Sequence, residues 1–354
     1  YFSIMDNEKE IGTTVLRPKG DYKLPHSWRN MLVGRPLPTA DAPHQTIGKR
    51  VGLAIFASDA LSSTAYATQE ILIVLALAGT AALGYAFPIS LAIVALLAIV
   101  TISYEQTIHS YPEGGGAYTV ARDNLGQFPA QVAGASLLTD YILTVAVSVS
   151  SGVAQITSAY PSLFPYSVHM AVGMVFLVML INLRGVKESG VVFAIPTYFF
   201  LFMMFMTVGV GFFRYLTGGL EAVTDTPSLT MEHTIQAITP FLILHAFSSG
   251  TTALTGVEAI SNGITAFKEP RSRNAGITLI LMSLILGMLF LGITFLAIHI
   301  RAVPSEVETV ISQLVRTVYN GRGLFYLGTL VATTAILIMA ANTSFSDFPR
   351  LSAI

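Results

Sequence analysis

Long apolar runs alternate with short polar stretches along almost the whole chain after residue 48. Eight of the runs are long enough to cross a hydrocarbon core of about 30 Å. They cover 49–78, 86–105, 129–158, 167–184, 189–214, 237–263, 274–300 and 322–348. The pattern predicts an all-α polytopic membrane protein, with a polar N-terminal arm over 1–48 and a transmembrane domain over 49–354.

Two of the predicted spans carry polar interruptions. The first span would be longer as one continuous helix than the hydrocarbon core is thick, and a cluster of serine, threonine and aspartate fills its middle at 58–64. The sixth span contains AFSSGTTALTGVEAISN over 246–262, with Gly250 and Gly256 among hydroxyl side chains. We therefore expect helices 1 and 6 to be broken.

The two interrupted spans share local sequence. Thr64-Ala65 recurs as Thr252-Ala253, and Glu70 and Glu258 each follow their threonine by six residues, so the offset is 188 throughout. The second copy lies five spans after the first, and an odd number of spans inverts it. Paired interruptions in corresponding helices indicate a binding site near the bilayer midplane of an inverted-repeat transporter.

Composition agrees with a membrane protein and excludes several other classes. The 354 residues are 53% hydrophobic and 11% charged, against about 25% charged in soluble domains. No cysteine is present, which excludes disulfides, thiolate metal sites and cysteine nucleophiles. The basic residues are divided among short loops, so we expect no nucleic-acid partner. The chain opens on Tyr1 and ends at Ile354 beside an apolar run, and we expect it to be the front portion of a larger protein.

The distribution of positive charge predicts the orientation. With the N-terminus inside, 15 of the 19 lysines and arginines lie on the cytoplasmic side, and four lie outside. The outer four are Arg214, Arg301, Arg316 and Arg322. We therefore predict a multi-pass protein of the cell membrane with a cytoplasmic N-terminus. The polar loop over 109–126 is expected to form a short helix on the cytoplasmic face.

Three acidic residues lie inside apolar runs without a basic residue in their own segment: Asp59, Asp140 and Glu258. A charged carboxylate in hydrocarbon costs roughly 2.5–3.5 kcal/mol even on lenient scales. Such acids must be protonated or must hold a cation from outside, which favours a cation pathway. Two alternatives remain, namely that Asp59 caps the outer half of a broken helix and that Glu258 snorkels to the interface.

Further oxygen-bearing side chains share faces with these acids. In the third span, Asp140, Thr144 and Ser148 recur every four residues and form one polar stripe, with Tyr141 adjacent. Tyr66 lies seven residues after Asp59, and Thr255 lies three residues before Glu258, so on a helix each shares a face with its acid. All of these are candidate ligands, although serines and threonines in helices often bond only to their own backbone.

Enzymatic chemistry is not expected. The triple glycine at 114–116 lacks the Lys-Ser/Thr of a phosphate loop, and no nucleophile with a base is evident. His245 is a second possible proton carrier but is more simply structural. A permease for amino acids or organic cations and a non-transporting ion sensor remain alternatives to a cation transporter.

The first span argues against an anionic substrate. Its break has no glycine to free backbone N–H groups for a carboxylate, and it places Asp59 there instead. A monovalent cation, bound by carboxylate, hydroxyl and carbonyl oxygens in place of water, fits better. Oxygen ligands alone do not separate potassium from sodium.

Several segments resemble the KUP/KimA-type potassium uptake permeases of the amino acid–polyamine–organocation superfamily. The resemblance rests on SDALSSTAYATQEIL, SYEQTIHSYPEGGGAYTVARDNLG, LLTDYILTVAVSVSSG, NLRGVKESG, AFSSGTTALTGVEAISNGITAFKEP and AANTSFSDFPRL. It runs from about residue 48 to 354. It implies a LeuT-type fold, a 5+5 inverted repeat that would be truncated here after about eight transmembrane helices.

The resemblance also implies roles for residues. Its potassium route would be lined by Asp59, Tyr66, Asp140, Tyr141, Thr144, Ser148, Thr255 and Glu258. Among them Asp59, Asp140 and Thr255 would coordinate potassium, and Glu258 would carry the coupled proton. The resemblance implies no cofactor besides the transported ion and proton. It also implies that the protein resides in the lipid bilayer and that the full-length protein is a homodimer.

Overall fold

The computed structural model describes residues 46–114, 116–183, 190–223, 226 and 237–352. The predicted arm over 1–48 therefore lies almost wholly outside the described residues. The helices are α1 Lys49–Ser62, α2 Ala67–Ala76, α3 Ala86–Ser110, α4 Ala117–Leu125, α5 Gln127–Ala159, α6 Ser167–Leu183, α7 Gly190–Leu216, α8 Pro240–Gly250, α9 Ala259–Asn262, α10 Arg271–His299, α11 Val310–Val318 and α12 Leu324–Ser352. Short 3₁₀ turns join several of them.

Six helices of the described chain are long and apolar enough to cross a membrane: α3, α5, α6, α7, α10 and α12. Each coincides with a predicted span to within a few residues. The prediction of an all-α polytopic membrane protein is thus confirmed for the described residues. The other two predicted spans are interrupted, as expected, and the total of eight crossings stays a prediction.

Helix α1 is the centre of the bundle. It packs against α7, α10 and α12, and most of its residues from Gly52 to Ser62 are buried. Close approach requires a small residue at Gly52, where a Cβ atom would lie 2.5 Å from the Phe267 ring. Phe56 stacks on that ring with 5.4 Å between centroids. A helix buried on all sides has no room for solvated polar groups, so the polar groups of α1 need partners inside the protein.

One end of the bundle gathers the start of α1, the loop before α4 and the end of the sixth predicted span. Ile47 N donates to Ala266 O at 2.8 Å, and Lys268 N donates to Ile47 O at 3.0 Å. Helix α4 confirms the short helix predicted within 109–126, and Gly116, just before it, lies against the Asn262 side chain. We call this the Lys268 end.

The opposite end gathers the end of α7, the end of α10 and the end of α11. Arg214 donates to the carbonyl oxygens of Thr317 and Val318, both at 2.8 Å, and Val223 N donates to Ile300 O at 2.7 Å. Helix α10, about 43 Å long, begins beside the Lys268 end and finishes here. We call this the Arg214 end. Of the basic residues that the sequence assigns to different membrane sides, Lys268 thus lies at one end of the bundle and Arg214 at the other.

A buried acid at the Arg214 end is fully partnered. Glu308, 6% exposed, pairs with Arg316 at 3.1 Å and with Arg322 at 3.7 Å. Its carboxylate also accepts from Ser312 Oγ at 2.9 Å and from Thr226 Oγ1 at 2.8 Å. Charge pairing and hydrogen bonds together offset the cost of burying this carboxylate.

Helix α11 is attached to the bundle beside Glu308. Val310 N donates to Gln69 Oε1 of α2 at 3.1 Å, while Thr309 Oγ1 donates to Gln155 Oε1 of α5 at 3.0 Å. Thr309 N donates to Ser158 Oγ at 3.0 Å. The start of α11 thereby ties the outer half of the first broken span to the third predicted span.

We expect Glu308→Ala to lower the free energy of unfolding by about 3 kcal/mol, because removing one partner leaves the half-buried Arg316 guanidinium without the Glu308 counter-charge. The measurement is the thermal unfolding midpoint of the detergent-purified protein. Glu306→Ala, at an exposed position of the same loop, is the matched control. Equal midpoints for the two variants would contradict this account of the Arg214 end.

Candidate functional site

The first interruption is a tight 3₁₀ turn over Ser63–Ala65 between α1 and α2. Its hydroxyl groups are used by the backbone: Ser62 Oγ donates to Asp59 O at 2.6 Å, and Thr64 Oγ1 donates to Leu61 O at 2.7 Å. These side chains satisfy carbonyls at the end of α1, as helical serines and threonines commonly do. They tighten the turn rather than face an ion.

The second interruption is longer and less regular. A 3₁₀ turn over Thr251–Leu254 follows α8, and Thr255 is extended with φ −59° and ψ 136°. Gly256 has φ +83°, a conformation that L side chains rarely adopt. Helix order resumes only at α9, one turn long. The prediction that helices 1 and 6 are broken is confirmed.

The two interruptions contact each other. Ser63 Oγ donates to Ala253 O at 3.1 Å, besides its bond to Ala60 O at 2.5 Å. Gly256 lies directly on α1, where a Cβ atom would be 2.8 Å from Asp59 Cγ and 2.8 Å from Ala60 N. The glycine therefore allows the backbone of the sixth span to reach the carboxyl group of the first.

Asp59 is buried at this contact, with 4% of its surface exposed. Its Oδ1 atom is buried and has no hydrogen-bond partner. Among the described residues no lysine, arginine or histidine forms an ion pair with it. A buried carboxylate oxygen without a partner is expensive, so this atom is suited to a ligand that arrives from outside.

The alternative that Asp59 caps the outer half-helix does not hold. Asp59 lies within α1, three residues before its end, and the N-cap residue of α2 is Tyr66, without a side-chain capping bond. The Asp59 carboxyl therefore has no role in capping α2.

Helix α5 presents the predicted polar stripe to the protein interior. Thr144 and Ser148 are buried, and Ser148 Oγ is a second buried oxygen without a hydrogen-bond partner. Asp140 at the start of the stripe is half-buried. The stripe thus carries an acid near the protein surface and hydroxyls deeper inside.

The two predicted tyrosines are both buried. Tyr66, 4% exposed, packs with Leu337 of α12 and Val147 of α5, so it joins three elements just beyond the first break. Tyr141, 5% exposed, lies close to the Asn262 side chain at the end of α9. Tyr66 thus connects the first interrupted span with α5. Tyr141, which lies on α5, approaches the sixth predicted span at Asn262.

Glu258 is buried, 8% exposed, just before α9. This burial opposes the alternative that Glu258 snorkels to the interface. Thr255, half-buried, stands on the other side of Gly256, so the predicted pair flanks the glycine that touches Asp59.

The acids of these elements interact electrostatically. Asp59 feels the charges of Glu258 and Asp140 and also that of Asp347 on α12, and Glu258 likewise feels Asp140 and Asp347. The three predicted acids therefore lie within electrostatic range of one another, and Asp347 lies within range of Asp59 and Glu258; we call these four residues the cluster. Like charges so close together repel in a low-dielectric interior, which favours occupation of the cluster by cations or protons.

A family model for amino acid permeases matches residues 52–352. The chain belongs to the amino acid permease family. It is 47% identical over 327 residues to the potassium transporter KimA of Bacillus subtilis (strain 168), an alignment covering 92% of this chain and 53% of that protein. The predicted resemblance to KimA-type permeases is confirmed, and the chain spans about half the length of that relative.

Two less similar proteins are named for a different substrate. Cationic amino acid transporters 7 and 6 of Arabidopsis thaliana, both chloroplastic, are 25% and 27% identical over 190 and 182 residues. These alignments cover 48% of this chain, and 30% and 29% of the two plant proteins. The chain is thus similar to proteins named for an inorganic cation and for cationic amino acids.

Sequence reasoning missed four polar residues of this permease that lie at or near the cluster: Tyr104, Asn262, Ser344 and Asp347. The charges of Glu258 and Asp140 act on the Tyr104 hydroxyl of α3. Tyr104 and Asp347 stand near helix ends, where aromatic and charged side chains are ordinary features of a membrane interface. The unpartnered Ser344 hydroxyl gives no signal in a sequence.

Other chemistry finds no support in the described part of the permease. His245 is exposed and its ring lies near Phe241, 6.2 Å between centroids, away from the acids. Among the described residues no three histidine, aspartate or glutamate side chains are placed to hold one metal ion together. A cation at this cluster would therefore take much of its coordination from hydroxyl and carbonyl oxygens.

We expect Gly256→Ala to destroy the site, since the new Cβ would overlap Asp59 and the φ of +83° is unfavourable by about 1 kcal/mol or more for alanine. Gly209→Ala is the matched control, because its Cβ would meet nothing within 4 Å. Ion flux by the full-length protein and its unfolding midpoint should both fall in the first variant alone. Wild-type flux in Gly256→Ala would refute the close contact with Asp59.

Proposed function

We propose that the full-length protein is a secondary transporter that imports potassium together with protons by alternating access. The observation that carries the proposal is the buried Asp59 Oδ1, which lacks a hydrogen-bond partner at the meeting point of two broken helices. Among the described residues no lysine, arginine or histidine forms an ion pair with Asp59, Asp140 or Glu258. A cation that enters from water would supply the missing charge.

Asp59, Asp140 and Thr255 coordinate the potassium ion in this proposal. The hydroxyls of Thr144 and Ser148 extend the oxygen-lined path along α5, and Tyr66 and Tyr141 border it. Ser148 Oγ, buried and without a partner, is free to serve as a ligand. A site with few charges and several neutral oxygens suits a weakly hydrated monovalent cation better than a divalent one, which prefers more carboxylates.

Glu258 carries the proton. If two or more acids of the cluster are ionised, one bound potassium ion leaves residual negative charge inside the protein. A proton on Glu258 removes part of that charge. The protein therefore passes through its occluded state most easily when both a cation and a proton are bound. Charge balance in a low-dielectric interior therefore couples the two movements in the same direction.

The fold assigned to this mechanism is the LeuT-type 5+5 inverted repeat. Its support is that the segments related by an offset of 188 residues both form 3₁₀ turns, one over Ser63–Ala65 and the other over Thr251–Leu254. These turns contact each other through Ser63 and Ala253. Equivalent breaks that meet at one point are what a pseudo-two-fold axis near the midplane produces.

The proposal includes location and assembly. The protein resides in the cell membrane with the Lys268 end and the N-terminus in the cytoplasm, and the full-length chain forms a homodimer. The sequence contains no cysteine. A single cysteine introduced as Lys49→Cys or as Asn320→Cys can therefore be labelled with a membrane-impermeant maleimide. Labelling of intact cells at position 49 would contradict this orientation, and a monomeric mass in detergent would contradict the dimer.

A permease for cationic amino acids is the second candidate, favoured by the family description and by the two plant relatives. An amino acid needs free N–H groups for its carboxylate. In the second break, Thr255 N donates to Thr252 O at 3.3 Å and Val257 N to Leu254 O at 3.4 Å, and in the first break Tyr66 N donates to Ser63 O at 3.2 Å. These bonds favour the inorganic cation.

Flux of labelled rubidium, as a potassium surrogate, in liposomes containing the full-length protein tests the function. Uptake that excess lysine or arginine leaves unchanged supports potassium transport, whereas competition by these amino acids supports the second candidate. Rubidium binding without any flux would instead indicate an ion sensor.

Asp59→Asn and Asp140→Asn should each reduce rubidium uptake to the background of empty liposomes, because each removes a charge that pays for dehydration of the ion. Asp123→Asn, at an exposed acid of α4, is the matched control and should keep wild-type uptake. Normal transport by Asp140→Asn would remove this aspartate from the site.

Glu258→Gln should transport rubidium without responding to the pH gradient, since an amide neither releases nor takes up the proton. Uptake measured with and without an inward proton gradient distinguishes coupling from simple loss of folding. A Glu258→Gln variant that is still driven by the gradient would place the coupled proton on another residue.

A further inference from the structure

Glu70 is the acid of the internal repeat that the proposed function leaves unused. The sequence pairs it with Glu258 at the offset of 188 residues. Glu258 follows the second break toward the Lys268 end, whereas Glu70 lies in the first turn of α2, which leads from the first break toward the Arg214 end. An inverted repeat places equivalent residues on opposite sides of the central site.

The side chain of Glu70 lies one helical turn beyond Tyr66. Glu70 N donates to Tyr66 O at 3.0 Å, so the two side chains share a face of α2, and the charge of Glu70 acts on the Tyr66 hydroxyl. Tyr66 itself packs with Leu337 of α12 and Val147 of α5. Glu70 therefore lies just outward of this three-way contact, on the side of α2 that is directed to α5 and α12.

Helices α5 and α12 run antiparallel beside this face of α2. Thr334 Oγ1 donates to Gly152 O at 3.5 Å, and a Cβ atom at Gly152 would lie 3.7 Å from Leu337 Cβ. Nearer the Arg214 end, Tyr326 donates to Ser158 O at 3.3 Å. Residue numbers therefore rise along α5 and fall along α12 toward that end.

Two hydroxyl side chains lie at the level of Glu70. Ser151 follows Val147 by one turn of α5. Thr334 precedes Leu337 by one turn of α12. One turn outward from the three-way contact, the three elements thus present one carboxyl and two hydroxyl groups.

These three side chains are half-buried and available to a ligand. Among the described residues no lysine, arginine or histidine forms an ion pair with Glu70. In the same part of the chain Ser151 makes no backbone bond of the kind that joins Ser158 Oγ to Ala154 O at 2.7 Å. The 3.5 Å bond of Thr334 is at the limit of hydrogen-bonding distance. A carboxyl beside two weakly bonded hydroxyls is a set of oxygens suited to a cation.

The start of α11 bounds this level toward the Arg214 end. Val310 N donates to Gln69 Oε1 at 3.1 Å, and Thr309 Oγ1 donates to Gln155 Oε1 at 3.0 Å. Gln69 directly precedes Glu70, and Gln155 lies one turn beyond the α5 hydroxyl. The three oxygen-bearing side chains thus lie between α11 and the central site.

We propose that Glu70, Ser151 and Thr334 form an outer entry site for a monovalent cation. An ion that arrives from the Arg214 end binds there before it reaches Asp59. The inference rests on the proposed function, in which potassium enters from that end. A negative charge at the entrance raises the local concentration of cations, and a site with one carboxylate and neutral oxygens binds weakly enough to release the ion inward.

The test uses the full-length protein in membrane vesicles of both orientations, with labelled rubidium as the probe. Glu70→Gln should raise the half-saturating rubidium concentration for uptake from the Arg214 end by at least about tenfold, as expected for a charged contact. Ser151→Ala should raise it by about three- to tenfold, the usual effect of losing one neutral polar contact. Half-saturation from the Lys268 end should stay at the wild-type value.

Glu306→Gln and Ser136→Ala are the matched controls. Glu306 is an exposed acid just before α11, and Ser136 Oγ already donates to Val132 O at 2.9 Å on α5, so both variants should behave as wild type from both ends. Ser151→Ala keeps the inference testable if Glu70→Gln fails to fold. Wild-type half-saturation in both site variants would overturn the entry site, as would equal increases from both ends.

Equilibrium binding of labelled rubidium to the purified full-length protein separates this inference from the proposed function. At a rubidium concentration that saturates wild type, Glu70→Gln should bind one ion per chain fewer than wild type, and Glu306→Gln should bind the wild-type number. This result supports the entry site even if no flux is found. An unchanged number of ions in Glu70→Gln overturns the entry site while transport stands. Absence of rubidium flux in wild type overturns the transport proposal alone.

Discussion

The structure depends on one unusual arrangement, a carboxyl oxygen buried at the junction of two broken helices without a donor to meet it. Asp59 reaches this position because Gly256, with its positive φ, lets the backbone of the sixth span approach α1. The neighbouring hydroxyls do not relieve the carboxyl, since Ser62 and Thr64 bond to carbonyls of α1. An apolar environment that withholds donors from a carboxyl group creates a demand for an external positive charge.

A second buried acid, which has only a structural role, differs from Asp59 in its partners. Glu308 is about as deeply buried as Asp59, yet two guanidinium groups and two hydroxyls surround it. Nothing comparable among the described residues surrounds Asp59, Asp140 or Glu258. The contrast between the Arg214 end and the junction of the two breaks separates an acid that holds the fold together from acids that are available for a cation.

Much of the fold was accessible from the sequence because lipid imposes a strong pattern. Apolar length located six continuous helices, and polar clusters located both breaks, since neither signal depends on tertiary contacts. The acids in apolar runs were found by the same logic. Asp347 and Tyr104 were missed because a polar residue near a helix end resembles an ordinary interfacial residue. The bonding of individual hydroxyls, such as Ser344 and Ser346, depends on packing that no sequence pattern contains.

The hydrogen bond from Ser63 to Ala253 joins the two 3₁₀ turns, and Gly256 rests on α1 one turn away. A tilt of α2 or of α8 that moves one of these turns therefore also displaces the other. In the proposed alternating-access mechanism the two turns would act as one hinge, with α1 and α2 on one side and α8 and α9 on the other. Rotation about this hinge would open a gap at one membrane face while narrowing the other, and the same few bonds would serve both movements.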